Sequence, residues 1–92
     1  MSIRRLTFAS PLLLLGVAAC SGGDPNCTTE PRSAWMPEAA MQAKVAEMGY
    51  KADVFKVAGN CYEIYGTDKE GRPVEVYFNP VSGEVVKSEI EG

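Results

Sequence analysis

The sequence predicts an α+β fold, with one N-terminal helix packed on a small antiparallel sheet of three to four strands. Three observations predict it. Met41, Val45 and Met48 recur at helical spacing inside an alanine-rich stretch. From Tyr50 onward the apolar period changes to two. That later stretch is cut by turn-forming sequences at Ala58-Gly59-Asn60, Asp68-Lys69-Glu70-Gly71 and Asn79-Pro80-Val81-Ser82-Gly83, so neighbouring strands fold back on one another.

The helix is bracketed by its own signals. Pro37 suits the first helical position, where its missing N–H would be unpaired anyway. Glu38 puts negative charge in the first turn, where the macrodipole favours it. Gly49 is a stop just past the last apolar position. A methionine stripe serves either as core packing or as an adaptable binding groove, and core packing is the ordinary use. Trp35 is expected to pack where the helix begins.

The clearest hairpin joins Cys61–Thr67 to Arg72–Asn79. Its loop suits a type I turn closed by a left-handed glycine. That turn implies a register pairing Ile64 with Val76 and Tyr62 with Phe78 on one face. On the other face Glu63 pairs with Tyr77 and Tyr65 with Glu75. The first face is apolar and should lie under the helix. The second repeats Glu-x-Tyr on both strands, and a slip of one residue would exchange the faces. Glu63, Tyr65, Glu75 and Tyr77 are a candidate partner-binding surface, because tyrosine joins an apolar ring to a polar tip. The alternative is a solvated sheet face with ordinary aromatic–polar cross-strand pairs.

Tyr50–Val57 reads as the strand before this hairpin, with an ambiguous register. A two-residue Gly-Asn turn would bury Phe55 and Val57, whereas a three-residue turn would bury Val54. Glu84–Ile90 reads as a terminal fourth strand.

The first 19 residues have the zones of an export signal. Arg4 and Arg5 make a positive start, Leu6 to Val17 is apolar, and Val17-Ala18-Ala19-Cys20 closes the segment with small residues. The apolar run falls short of the ~20 residues that a helix needs to cross a bilayer. The closing tetrapeptide resembles the lipobox of bacterial lipoproteins. That resemblance implies lipidation of Cys20 and cleavage before it, with acyl chains anchoring the protein at ~0.8 kcal/mol per buried methylene. Ser21, rather than Asp, implies the outer membrane, facing the periplasm. An ordinary signal cut near Ala19, or an uncleaved anchor, is the competing reading. Ser21–Pro31 is polar and broken by Gly and Pro, so residues 20–34 are expected to form the lipidated cysteine and a flexible tether. Residues 35–92 are then the folded domain.

Composition bounds the chemistry. The chain has 92 residues, three cysteines, no histidine and a formal charge of −3. Removal of the first 19 residues and their two arginines would leave 73 residues at −5. An acidic balance argues against nucleic acid as a partner. Without histidine there is no Ser-His-Asp triad, Cys-His dyad or histidine metal site, and there is no phosphate-binding glycine loop. No catalytic residue, metal site or cofactor is assigned. Cys27 and Cys61 could supply two thiolates to a soft metal, but two ligands do not complete a tetrahedron. Outside the cytoplasm a structural disulfide between them is the better reading, with Cys20 left to the lipid.

Several of these pieces together resemble a PepSY-type domain, over roughly Trp35 to Val86. They are the helix ending Gly49-Tyr50, the strand Cys61-Tyr62-Glu63-Ile64-Tyr65, the turn Asp68-Lys69-Glu70-Gly71-Arg72, and the strand Val74–Phe78 running into Asn79-Pro80-Val81-Ser82-Gly83-Glu84-Val85. The family usually carries Asp-Pro-x-Thr-Gly at this last turn, so Asn79 and Ser82 are mild departures. PepSY domains occur in propeptides of thermolysin-like metallopeptidases, in membrane proteins and in small secreted proteins, and are proposed to inhibit or regulate peptidases. The resemblance implies a non-enzymatic regulatory module. With no peptidase portion in this sequence, it would act in trans on an envelope partner while held to the membrane through Cys20. A small-ligand or metal-ion binder using the Glu/Tyr face is the alternative.

Overall fold

The structure is a computed structural model and describes residues 23–91. The segment read as an export signal, Cys20 and Ser21 lie outside the described residues. Four strands form one antiparallel sheet in sequence order: β1 (Lys51–Ala58), β2 (Cys61–Thr67), β3 (Pro73–Phe78) and β4 (Val85–Ile90). A single α-helix among the described residues, α1 (Glu38–Glu47), packs on one face. The fold is therefore α+β with a small sheet. The sequence led us to expect an N-terminal helix, but among the described residues the helix is not the first element. An extended arm and a 3-10 turn at Arg32–Ala34 come before it. No helix among the described residues is long and apolar enough to cross a membrane.

The helix starts and stops where its sequence signals lie. Pro37 is the flanking cap rather than the first helical residue, and its carbonyl accepts the Met41 amide at 3.0 Å. At the other end Gly49 takes φ +94°, a backbone state that side chains disfavour. The Gly49 and Tyr50 amides then turn back onto the carbonyls of Ala46 and Val45. Met41 and Val45 are buried, whereas Met48 sits half-buried at the cap. With Tyr62, Ile64, Val74, Val76 and Phe78 they make the main core. Each such side chain contributes about 1.5–3 kcal/mol by leaving water. Trp35 meets Tyr62 edge-on at 5.3 Å, and the Tyr62 hydroxyl donates to the Met36 carbonyl at 2.7 Å. These contacts dock the start of the helix onto β2.

The central hairpin has the register implied by its turn: Tyr62 with Phe78, Glu63 with Tyr77, Ile64 with Val76 and Tyr65 with Glu75. The turn is fixed by Asp68, whose carboxylate accepts the Glu70 and Arg72 amides at 3.0 and 2.9 Å and the Arg72 guanidinium at 2.8 Å. Those bonds, led by the Arg72 amide, hold the Asp68 carboxyl below its usual range. In the β3–β4 turn the Asn79 side chain accepts the Val81 and Ser82 amides, and the Ser82 hydroxyl accepts the Glu84 amide. The two departures from the family pattern thus keep the turn closed.

The first strand resolves its ambiguity through a two-residue turn, Gly59-Asn60, that pairs Ala58 with Cys61. Phe55 and Val57 share the helix face and are half-buried, whereas Val54 points outward at 47% exposure. A bulge between Ala52 and Val54 makes room for the extra residue. Beside it Gly66 has no space for a side chain, because a Cβ there would run into the Lys51 carbonyl and the Ala52 Cα. Gly66→Ala is expected to cost about 2–3 kcal/mol. A urea midpoint unchanged from the parent would refute this close approach.

Candidate functional site

The Glu/Tyr face is not the solvated surface that alternation implies. Glu63 is 1% exposed and Tyr77 8% exposed, whereas Tyr65 remains 37% exposed and Glu75 is half-buried. Of the four candidate surface residues, only Tyr65 and Glu75 present much to a partner. The cause is the N-terminal arm together with crowding within the face. Cys61 shares this face with Glu63 and Tyr65, and a disulfide joins it to Cys27 with a Cα–Cα distance of 5.2 Å. Cys27, Ala58, Cys61 and Tyr77 form a second small core beneath the arm.

The arm is held by more than the bridge. The Asn60 side-chain oxygen accepts the Cys27 amide at 2.9 Å, and its NH2 group donates to Asn26 Oδ1 and the Thr28 carbonyl, both at 2.6 Å. The Tyr77 hydroxyl lies 3.5 Å from Asp24 Oδ1. Residues expected to be a flexible tether up to position 34 are therefore laid on the sheet from Asp24 onward, and the folded unit begins well before Trp35. Sequence patterning missed this because a Gly- and Pro-broken polar stretch has no period, and its order comes from one covalent bond and one asparagine. Asn60→Ala is expected to destabilise the domain by about 2 kcal/mol, since it unpairs partly buried backbone groups of the arm. Faster hydrogen exchange at the Cys27 amide is the measurement to make, and unchanged protection there would contradict the assignment.

The face forms a hydrogen-bonded lattice. Glu75 Oε2 accepts the Tyr77 hydroxyl at 2.8 Å. Lys56 Nζ approaches Glu63 Oε1 at 3.8 Å and also lies over the Tyr65 ring, 5.4 Å from its centroid. Glu63 Oε2 has no partner. The Tyr65 hydroxyl is pushed up to about 12, first by its hydrogen bond with Glu75 and then by burial. Tyr77 is pushed up further by burial and by Glu75. Both phenols are therefore held as proton donors, and neither is poised as a phenolate nucleophile.

On β4, Glu89 and Glu91 bring one carboxylate oxygen each to within 4.8 Å of one on Glu75. Glu89 is paired with Lys87 at 3.5 Å, and both outer carboxylates are exposed to water. Exposed acidic groups this close are tolerated in water without an ion, and we assign them no metal.

A second region was not foreseen. Both β1 and β4 are sheet edges. On the helix face, the short helix stops before β4 and leaves Val86 42% and Ile90 56% exposed. There an open pocket of about 190 Å³ lies between the helix end and β4. Met48, Tyr50, Val74 and Ile90 supply its apolar wall, and Lys69 and Arg72 stand at its rim. The available signal was a terminal strand with valines in succession beside a helix stripe only three positions long.

The chain matches the peptidase propeptide and YPEB domain family over residues 5–89. No curated protein and no solved structure matches it. The matched span contains α1, the whole β1–β3 meander, the Asn79–Gly83 turn and nearly all of β4. It also extends into the segment outside the described residues. The helix stop at Gly49, the central hairpin and the last turn are the features that carried the PepSY resemblance, and this chain belongs to the peptidase propeptide and YPEB domain family.

Proposed function

We propose that this chain is a non-enzymatic regulatory module, lipid-anchored through Cys20 and facing the periplasm from the outer membrane, that binds a peptidase or another envelope protein along β4. The observation that carries this reading is the uncovered β4 edge with Val86, Ile90 and the adjoining pocket. An edge strand offers unpaired backbone groups to an extended segment, and neighbouring apolar pockets select its side chains. Membership of a family named for peptidase propeptides favours a peptidase among the partners. The chain contains no histidine and the Tyr65 and Tyr77 phenols are held protonated, which favours binding over catalysis.

The test is site-specific photocrosslinking in whole cells. A photoreactive residue at position 86 or 90 should capture one defined envelope protein, and the same probe at position 65 on the opposite face should not. Equal capture from both faces, or none from β4, would sink the proposal. Intact-mass measurement of the membrane fraction reads the anchor directly. A chain starting at Cys20 with added acyl mass is expected, and an unmodified soluble chain would remove the membrane part of the reading.

A further inference from the structure

The unpartnered oxygen of Glu63 calls for an explanation, because a buried carboxylate lacking a hydrogen bond is costly. Glu63 is enclosed on every side. Cys61 and Tyr65 flank it along β2, and Lys56 and Tyr77 face it from β1 and β3. Glu75 lies diagonally across the β2–β3 pair, opposite Tyr65. The remaining charged groups around this face are Asp24 of the arm, near the Tyr77 hydroxyl, Lys87 and Glu89 of β4, and Glu91 just beyond it. With both inner glutamates ionised, five acids would face two lysines. One of those lysines is already paired with Glu89, and the other stands 3.8 Å from Glu63 with half its side chain in water.

We infer that Glu63 and Glu75 hold a single proton between them, and that this proton closes the face on which the N-terminal arm lies. A proton on the Glu63 carboxyl supplies a donor for its interaction with the neighbouring Glu75, and it removes one of two neighbouring negative charges. Glu75 keeps its charge, because it accepts from Glu63 as well as from the Tyr77 hydroxyl. Burial, followed by the hydrogen bond and charge of Glu75, pushes Glu63 up to about 7, against smaller downward pulls from Lys56 and from a hydrogen bond with Tyr65. Glu75 moves the opposite way, first through the Glu63 hydrogen bond. The pair therefore gives up one proton near neutrality, as an acid–carboxylate dyad does.

The sign follows from linkage. The folded chain holds this proton more tightly than the unfolded chain, in which glutamate titrates near ~4.3. The stabilisation is complete below that value and is lost as pH rises toward about 7. Above that, Glu63 is an ionised carboxylate under the arm, and the Tyr77–Asp24 side of the face loosens. Between pH 5 and pH 8 the carboxyls that folding holds down, Asp68 and Glu75, are already ionised in both states and add little slope.

Thermal unfolding of the full chain in the presence of a chelator tests this. The midpoint should fall by on the order of 10 °C between pH 5 and pH 8. Glu63→Gln, which keeps a donor toward Glu75 without the charge, should flatten that dependence and melt higher than the parent at pH 8. A flat parent profile, or an unchanged slope in Glu63→Gln, would overturn the inference. A carbon-detected NMR titration of the glutamate carboxyls needs no variant. One inner carboxyl titrating near neutrality is expected, and both titrating below ~5 would overturn it.

Discussion

A chain carrying Cys27→Ala and Cys61→Ala is expected to lose about 4 kcal/mol of unfolding free energy. The bridge spans 34 positions of sequence. Closing a loop of that size removes roughly 4 kcal/mol of freedom from the unfolded chain on the chain-entropy account. A domain of this length has only about 4–10 kcal/mol in total, so the loss amounts to roughly two-fifths of its stability or more. The folded state loses something as well, because Cys27, Ala58, Cys61 and Tyr77 pack as one small cluster. Chemical denaturation with and without reductant gives the number for the parent chain. Equal midpoints under the two conditions would show that the bridge contributes nothing. The arm should respond more than the helix, so exchange at the Cys27 amide should rise in the reduced chain before exchange at Met41.

The second large effect is expected at Phe78. Its side chain is fully buried at the meeting point of β2, β3 and the helix stop, with Tyr62 opposite and Tyr50 edge-on at 6.1 Å. Phe78→Ala should cost about 3–5 kcal/mol, combining lost burial with the cavity left behind. In a domain of this size that places the chain at or below the folding threshold at 37 °C. Phe78→Leu keeps most of the volume and should retain a cooperative transition. Circular dichroism melts of the two variants separate these outcomes, and an alanine variant as stable as the leucine variant would contradict the packing described for this site.

The central hairpin was legible because two independent signals agreed on it. The Asp68–Gly71 turn and the apolar alternation both required Ile64 opposite Val76, and a slip of one residue would have set Glu75 against the helix in place of Val76. The helix was legible from Met41, Val45 and Gly49 for the same reason. The first strand was not, since Val54, Phe55 and Val57 fit either register until the Gly59-Asn60 turn fixes the pairing and a bulge absorbs Asp53. The Glu/Tyr face was misread for a physical reason. Alternation reports which side of a sheet a residue occupies, but not whether something else covers that side. The cover here is a segment without periodicity, cross-linked from a distance in sequence. Pairing Cys27 with Cys61 already implied that the arm must cross the Glu63 side of the sheet, because Cys61 and Glu63 alternate onto the same side. That implication is the signal from which the burial of Glu63 could have been drawn.

Under the proposed lipid anchor, the bridge would also set how far the domain can stand from the membrane. If the acyl chains sit on Cys20, six residues separate it from Cys27, which is fastened to the start of β2. A fully stretched leash of that length reaches about 25 Å. The β1–β2 end of the sheet would then ride close above the lipid headgroups, while the Asp68–Gly71 hairpin tip would point toward the periplasmic interior. Cutting the bridge would lengthen the leash by the whole arm and let the domain tumble more freely, with no change in the lipid anchor itself.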